Sequence, residues 1–341
     1  MRTIDWDDTK NCIIFVDQTK LPLARHIVEC MDVNALAEAI RTLSIRGAPA
    51  LGVAGAFGIA LAAQTSKAKS PIDLVQELEG AAEVLRNTRP TAINLSWGID
   101  RVLRKAKTGH SIIQVKELAL EEAKAIADED VEICKKIGAN GTKLLEDGDV
   151  VLTHCNAGRM ACVDWGTALG VVRSAIEENK RIKVIATETR PLNQGSRITA
   201  WELLQDNIPV TLITDSMAGH VIKSGMVDKI LVGADRIVEE AVFNKIGTYT
   251  LSVIAKEHKI PFYVAAPMST FDFEKHAPDI EIEERGPQEL KYFGDMQIAP
   301  LDAKAYNPAF DATPMDNVTA IITEKGVFYP PLSFEELKGL E

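Results

Sequence analysis

The sequence predicts an α/β protein: a mostly helical first part, then a doubly wound parallel sheet. Three observations predict it. Up to about residue 120 the pattern is mostly helical. After Gly148, short apolar runs recur near 149–154, 182–187, 208–213, 229–234, 261–266 and 317–322. Amphipathic stretches follow most of them, near 159–178, 196–206, 216–226 and 244–258. Such β-α alternation builds a parallel sheet with helices on its faces. At 341 residues the chain suits two domains. They are expected at 1–125 and 126–341, with the boundary in or near the helical stretch at 113–145.

The elements follow in order. Residues 12–16 and 19–25 read as short strands or extended segments around Asp17-Gln18. Asp32 caps a helix running through Leu36, Ala37, Ala39, Ile40 and Leu43. Ser44 to Pro49 forms a turn, and Pro49 suits the first turn of the Gly-Ala-rich helix that follows. In that helix the spacing of Gly52, Gly55 and Gly58 fits close packing rather than a dinucleotide fingerprint. The apolar stretch from Ala48 to Ala63 is short for a membrane span and is expected to be buried. Further helices are expected over 71–86, 93–106 and 113–145, with Asn87 to Thr91 as a breaker.

Composition removes several function classes. Hydrophobic residues make up 46% of the chain and charged ones 26%, as in a soluble protein. A net charge of −11 argues against general nucleic-acid binding, which needs a basic face. A small anion is still compatible, because local arginines and helix N-termini can hold one. The five cysteines are odd in number and show no CxxC spacing. A reducing cytoplasm is expected rather than a disulfide framework. The acidic start, with Asp5, Asp7 and Asp8, is not a signal peptide, and no membrane association is expected.

Two segments carry most of the chemistry. Thr153-His154-Cys155-Asn156-Ala157-Gly158 and Val232-Gly233-Ala234-Asp235-Arg236-Ile237 each sit where an apolar run stops. Such a run reads as a strand reaching the carboxyl edge of a parallel sheet, where ligands bind in open α/β folds. A thiol and a carboxylate, distant in sequence, are thus expected to face one crevice. For Cys155 the plain alternative is a buried structural cysteine. Its expected place in a turn opening a helix favours a functional thiol, since a helix N-terminus lowers the pKa. Cys162 is expected one to two turns into that helix, as packing. For Asp235 the plain alternative is a cap or an ion pair with Arg236.

Arg46-Gly47-Ala48-Pro49 and Arg89 read either as a turn with a solvated arginine or as an anion site. Gln194, in the polar turn from Thr187 to Arg197, could hydrogen-bond sugar hydroxyls or belong to an ordinary loop. Asn244 and Lys245 are expected to begin a helix, as a capped start or as a phosphate or hydroxyl clamp. His154 and His220 lack partners at metal-ligand spacing, and no His/Cys/Asp cluster reads as a zinc site.

In combination these segments are specific. Arg46-Gly47-Ala48-Pro49-Ala50, Arg89-Pro90-Thr91-Ala92-Ile93-Asn94-Leu95 and the Thr153–Gly158 segment occur in order. Thr187-Glu188-Thr189-Arg190-Pro191, Gln194-Gly195-Ser196-Arg197, Gly233-Ala234-Asp235-Arg236-Ile237, Asn244-Lys245-Ile246-Gly247-Thr248-Tyr249 and Ile282-Glu283-Glu284-Arg285 follow. Over nearly its whole length the chain closely resembles the methylthioribose-1-phosphate isomerases of methionine salvage. That family is homologous to regulatory subunits of the guanine-nucleotide exchange factor of eukaryotic translation initiation. It also has relatives acting on 5-deoxyribose 1-phosphate and ribose 1,5-bisphosphate.

The resemblance implies a helical N-terminal domain, a Rossmann-like C-terminal domain, a homodimer, and neither a metal nor an organic cofactor. It implies an aldose–ketose isomerase acting on a small sugar phosphate. The family's catalytic cysteine and aspartate correspond to Cys155 and Asp235. Its sugar- and phosphate-contacting positions correspond to Arg46, Gly47, Ala48, Arg89, Gln194, Asn244 and Lys245. One departure concerns the sugar's C5 substituent. Many bacterial members place N-G-D between the aspartate and N-K motifs. Here Val238-Glu239-Glu240-Ala241-Val242-Phe243 lacks it and is one residue shorter. Isomerases for the deoxy and bisphosphate sugars are the near alternatives, and a non-catalytic translation-factor-like subunit the distant one.

Overall fold

The computed structural model describes residues 2–340. The chain opens with a three-stranded antiparallel sheet in the order β1 (Ile4–Asp7), β2 (Cys12–Val16) and β3 (Ile27–Cys30). The expected strand at 19–25 is not formed. Asp17 instead accepts a hydrogen bond from the Thr19 amide and caps a short turn over Gln18–Lys20. β1 and β3 were not expected, because each is only four residues long and β1 alternates with aspartates.

Five helices follow: α1 (Val33–Arg41), α2 (Ala48–Thr65), α3 (Pro71–Arg86), α4 (Ile93–Ala106) and α5 (Ile112–Gly141). Side chains cap α1, α3 and α5, where Asp32, Ser70 and Ser111 accept from Ala35, Asp73 and Gln114 amides. By length and composition α2 could cross a membrane, yet most of it is buried among the other helices. It lies so close to α4 that a Cβ on Gly98 would come 2.0 Å from the Gly52 carbonyl oxygen. Glycine at both positions lets the two backbones touch. The first half of α5 packs on the helical core through Val115, Ala119 and Ala123. Ile137, near its end, packs on the second core.

The second half is built on a seven-stranded sheet. Its elements are β4 (Val150–Thr153), α6 (Ala168–Glu177), β5 (Lys183–Thr187), α7 (Ala200–Gln205), β6 (Val210–Ile213), α8 (Ala218–Lys223) and β7 (Lys229–Val232). A hairpin of β8 (Arg236–Ile237) and β9 (Ala241–Lys245) leads into α9 (Thr248–His258) and β10 (Phe262–Ala265). The short α10 (Gln288–Lys291) and the pair β11 (Tyr292–Phe293) and β12 (Met296–Gln297) follow. β13 (Phe310–Pro314), β14 (Ala320–Thr323), β15 (Gly326–Phe328) and α11 (Phe334–Lys338) complete the chain.

All six apolar runs after Gly148 became strands of this sheet. Its order is β15-β14-β10-β7-β4-β5-β6, and every pair is parallel except β14–β15. Leaving out β15, this is a Rossmann-like doubly wound order, which reverses between β4 and β7.

Two expected helices were corrected. The stretch at 159–178 is α-helical only from Ala168, after a single 3-10 turn at Arg159–Ala161, because tertiary partners claim the earlier backbone. Glu202 accepts from the Arg159 amide, Asp130 from the Val163 amide, and the Val163 carbonyl accepts from Thr3. Cys162 is therefore not helical, although it is fully buried with Cys134, Ala161 and Trp165. The stretch at 244–258 begins as strand. Asn244 and Lys245 end β9, paired across to Asp311 and Phe310 of β13, and the helix starts only at Thr248.

Candidate active site

β4 and β7 are neighbours, and the order reverses between them. Cys155 follows one and Asp235 follows the other, so the fold sets thiol and carboxylate at the switch point. Their two loops touch, since a Cβ on Gly233 would fall 2.7 Å from the Ala157 Cβ. Both residues line a cleft between the helical and sheet halves. Arg46, Gly47, Ala48, Arg89, Gln194, Asn244 and Lys245 line the same cleft. Every site residue expected from the sequence is thus gathered in one place.

Cys155 is held rigidly. Its φ of 63° is left-handed, a conformation that costs a non-glycine residue energy and is found where neighbours enforce it. The enforcers are visible. The Cys155 amide donates to Thr189 Oγ1 at 2.8 Å, and Thr199 Oγ1 donates to the Cys155 carbonyl at 2.6 Å. The preceding His154 is buried between Thr187 Oγ1 at 2.7 Å and the Ile246 carbonyl at 2.8 Å. A carbonyl only accepts, so Nε2 carries the proton and Nδ1 accepts from Thr187. Burial lowers the His154 pKa, which keeps the ring neutral.

The helix expected to open beside Cys155 is absent, and with it the expected lowering of the thiol pKa. Burial pushes the Cys155 thiol above its ordinary value, against the pull of Arg46 and Lys245. Burial likewise raises the Asp235 carboxyl, opposed by Lys245, Arg89 and Arg46. It lowers Lys245, which Cys155 and Asp235 pull the other way. The three groups stand in one enclosed site where protonation is easily shifted.

Arg46 comes from the turn before α2. Its guanidinium donates to the side-chain and main-chain oxygens of Asn156, both at 2.7 Å. Asn156 passes its own amide protons to Thr199 and to Glu202. Glu202 is fully buried and paired with Arg173 at 2.8 Å. Gly47 caps α2 with φ of 98°, and a Cβ there would sit 2.4 Å from the Ala161 Cα. Only glycine lets this turn approach the Cys155 loop.

Arg89, from the α3–α4 turn, pairs with Glu283 at 2.9 Å, and Arg285 holds the same carboxylate at 2.9 Å. Lys245 donates to the Ala309 carbonyl at 2.8 Å, and its ammonium lies 4.5 Å from the Phe310 ring centre. Asn244 donates to Thr248 Oγ1 at 3.0 Å. Gln194 is buried, and its side-chain oxygen has no hydrogen-bond partner, so it is left for a ligand hydroxyl.

The sequence reading left out Phe310, Leu192 and Arg285 as wall residues. Arg285 lies in a motif that had been noticed without a role. Phe310 gave no local signal; it reaches the site by pairing opposite Lys245. The fold also collects a group that sequence spacing did not show. Ligand atoms of Asp130, Cys134 and Cys162 lie within 4.8 Å of one another. Asp130 accepts the Val163 amide at 2.7 Å, and the two thiols pack with Ala161 and Trp165.

The lining is cationic in an acidic protein. Arg46, Arg89, Lys245 and Arg285 face a cavity whose one carboxylate is Asp235. Such a site accepts an anionic ligand and can move protons on it.

Comparison with known proteins agrees with this architecture. Residues 44–330 match the model of the initiation factor 2 subunit family. A methylthioribose-1-phosphate isomerase of Thermosipho africanus is 51% identical over 99% of this chain and 97% of its own length. The crystal structure of 5-methylthioribose 1-phosphate isomerase from Pyrococcus horikoshii is 43% identical, with a TM-score of 0.91 over 100% of this chain and 96% of that one. A structure from A. fulgidus, named translation initiation factor eIF-2B subunit delta, is 62% identical, with a TM-score of 0.87 over 97% of this chain and 96% of that one.

Proposed function

The chain belongs to the initiation factor 2 subunit family, and from that premise we propose that it is an isomerase converting 5-methylthioribose 1-phosphate to 5-methylthioribulose 1-phosphate, a step of methionine salvage. The similar proteins carry two kinds of name, isomerase and translation factor. One observation favours the enzyme: a cation-lined cavity that encloses a thiol and a carboxylate at the switch point of the sheet. A protein serving only as an interface has no need of that constellation.

The chemistry starts from a constraint. A phosphate on C1 blocks the spontaneous ring opening of a free sugar, so the enzyme must open the ring. In the proposed sequence Asp235 gives a proton to the ring oxygen as the C1–O bond breaks, its electron pair staying on that oxygen. The Cys155 thiolate removes the C2 proton, and the C–H pair becomes a C1–C2 double bond. The C2 hydroxyl returns a proton to the Asp235 carboxylate, the carbonyl forms at C2, and C1 takes back the proton from sulfur. Arg46, Gly47, Ala48, Arg89, Asn244 and Lys245 hold phosphate and sugar in this reading, and Gln194 binds a hydroxyl. The enclosing wall slows exchange of these protons with bulk water without preventing it.

The raised thiol specifically favours a second route. If Cys155 keeps its proton, the C2 hydrogen moves with its electron pair directly to C1, and Asp235 alone handles the hydroxyl protons. Turnover of 5-methylthioribose 1-phosphate in D₂O, followed by NMR, tests both levels. Appearance of the C2 carbonyl is expected, with part of the product carrying deuterium at C1. Full retention of substrate hydrogen under all conditions counts against the enediol route, and no turnover removes the isomerase reading.

A homodimer belongs to the same proposal. β6 is an unpaired sheet edge, with Leu212 on it and Met217 just beyond it about half exposed. Such an edge needs cover. Light scattering should give twice the chain mass; a monomer at micromolar concentration would remove this part.

A further inference from the structure

Asp130, Cys134 and Cys162 meet outside the catalytic cleft, and none of the three lines it. Asp130 and Cys134 stand four residues apart on α5, so both side chains leave one face of the helix. Cys162 reaches them from the loop between β4 and α6. Ligand atoms of all three lie within 4.8 Å of one another. No spacing motif announces them, because the third donor arrives from a different element.

The surroundings suit a cation better than three free acids. Both thiols are fully buried, and Asp130 is only 8% exposed. A buried polar group ordinarily finds its hydrogen-bond partners, and a carboxylate has room for several. Among the described residues Asp130 takes one hydrogen bond, from the Val163 amide at 2.7 Å. The two sulfurs beside it are weak donors. Burial pushes the Asp130 carboxyl up to about 7. The contact with Cys162, together with burial, pushes the Cys134 thiol well above its ordinary value. A divalent cation would displace these protons and neutralise most of the charge left behind.

The donor set and its spacing name the ion. Around tetrahedral Zn²⁺, with bonds of about 2.3 Å to sulfur and about 2.0 Å to oxygen, donor atoms sit about 3.5–3.8 Å apart. Small side-chain rotations bring this group to that spacing. Two thiolates select a borderline or soft cation over Mg²⁺ or Ca²⁺, which take oxygens. Asp130 also lines a narrow crevice with Val53, Asn94 and Glu129, which gives the ion a way in.

We propose that Asp130, Cys134 and Cys162 bind one Zn²⁺ ion, with water as the fourth ligand. The ion fastens α5 to the loop that carries Cys155 and takes no part in the proton transfers. The site is independent of the isomerase reading.

Co²⁺ is the probe, because it accepts the same tetrahedral geometry and is coloured. Full-length protein, freed of metal and kept reduced without oxygen, is titrated with Co²⁺ slightly above neutral pH. One equivalent should produce thiolate-to-cobalt charge-transfer absorption and the visible bands of a tetrahedral site. Zn²⁺ should displace Co²⁺ and bleach them, and should raise the melting temperature. Cys134→Ala and Cys162→Ala should each weaken Co²⁺ binding by about 100-fold or more, beyond the loss of a group behind a ligand. Cys155→Ser should leave affinity and colour unchanged. Asp130→Asn still accepts the Val163 amide and should weaken binding by about tenfold or more. Melting temperatures without metal show whether each variant folds, and Asp130→Asn decides the matter if the alanine variants do not. Failure of the parent to bind Co²⁺ at micromolar concentration overturns the site. So does a colourless complex without thiolate absorption, or affinity and colour that persist in the folded variants of Asp130, Cys134 and Cys162.

Discussion

Asp235→Asn should fold normally and lose about 10²–10⁴-fold in kcat, the usual worth of a positioned acid–base group. The amide matches the carboxyl in shape but cannot carry a proton from ring oxygen to hydroxyl and back. Folding should not suffer. Burial raises the Asp235 pKa in the folded state. The unfolded chain therefore releases this proton at lower pH, near about 4. As pH rises through the window above that value, ionisation favours the unfolded state, so at neutral pH the native carboxyl costs stability. A neutral amide removes the cost. Denaturant unfolding at pH 7 should find the variant at least as stable as its parent, a common trade-off in active sites. A variant retaining kcat within tenfold of the parent would remove Asp235 from the proton relay.

Cys155→Ser is expected to lose a similar factor, about 10²–10⁴ in kcat, because a hydroxyl is far harder to ionise than a thiol. The two side chains are close in size and share the Cβ, so the left-handed backbone at this position is equally tolerated. The wild-type pH profile sharpens the test. Cys155 sits above an ordinary thiol value of 9.0 because it is buried. If the reaction uses the thiolate, kcat/KM should climb with pH up to at least about 9, and that limb should vanish in Cys155→Ser. A flat wild-type profile over that range, with near-normal kcat in the serine variant, would sink the role of this thiol as base.

Much of the site was legible because it uses backbone features that leave local traces. A strand that ends at the carboxyl edge of a parallel sheet must stop its apolar run at polar or small residues. Both Cys155 and Asp235 were found that way. Gly47 was legible for a related reason, as the glycine of a turn before a proline-started helix. Phe310, by contrast, lies between Ala309 and Asp311 in a stretch with no turn or strand-end signal. It matters only because β13 pairs with β9 and sets its ring beside Lys245. The helix expected from 159 failed because periodicity does not register partners that arrive from residues 3, 130 and 202.

The sequence alone determined the alternation of strands and helices, the helix capped by Asp32, and the residue types at the strand ends. These depend on neighbours a few positions apart, where propensity, periodicity and capping act. Only the tertiary structure decided the strand order, and so that β4 and β7 lie side by side with thiol and carboxylate on one cavity. It also decided the direction in which the pKa values of that pair move. The expected helix N-terminus would have lowered the thiol pKa, but burial raises it, because a charge in an enclosed wall loses more solvation than Arg46 and Lys245 return. Desolvation depends on everything packed around a group, and no local stretch of chain encodes that.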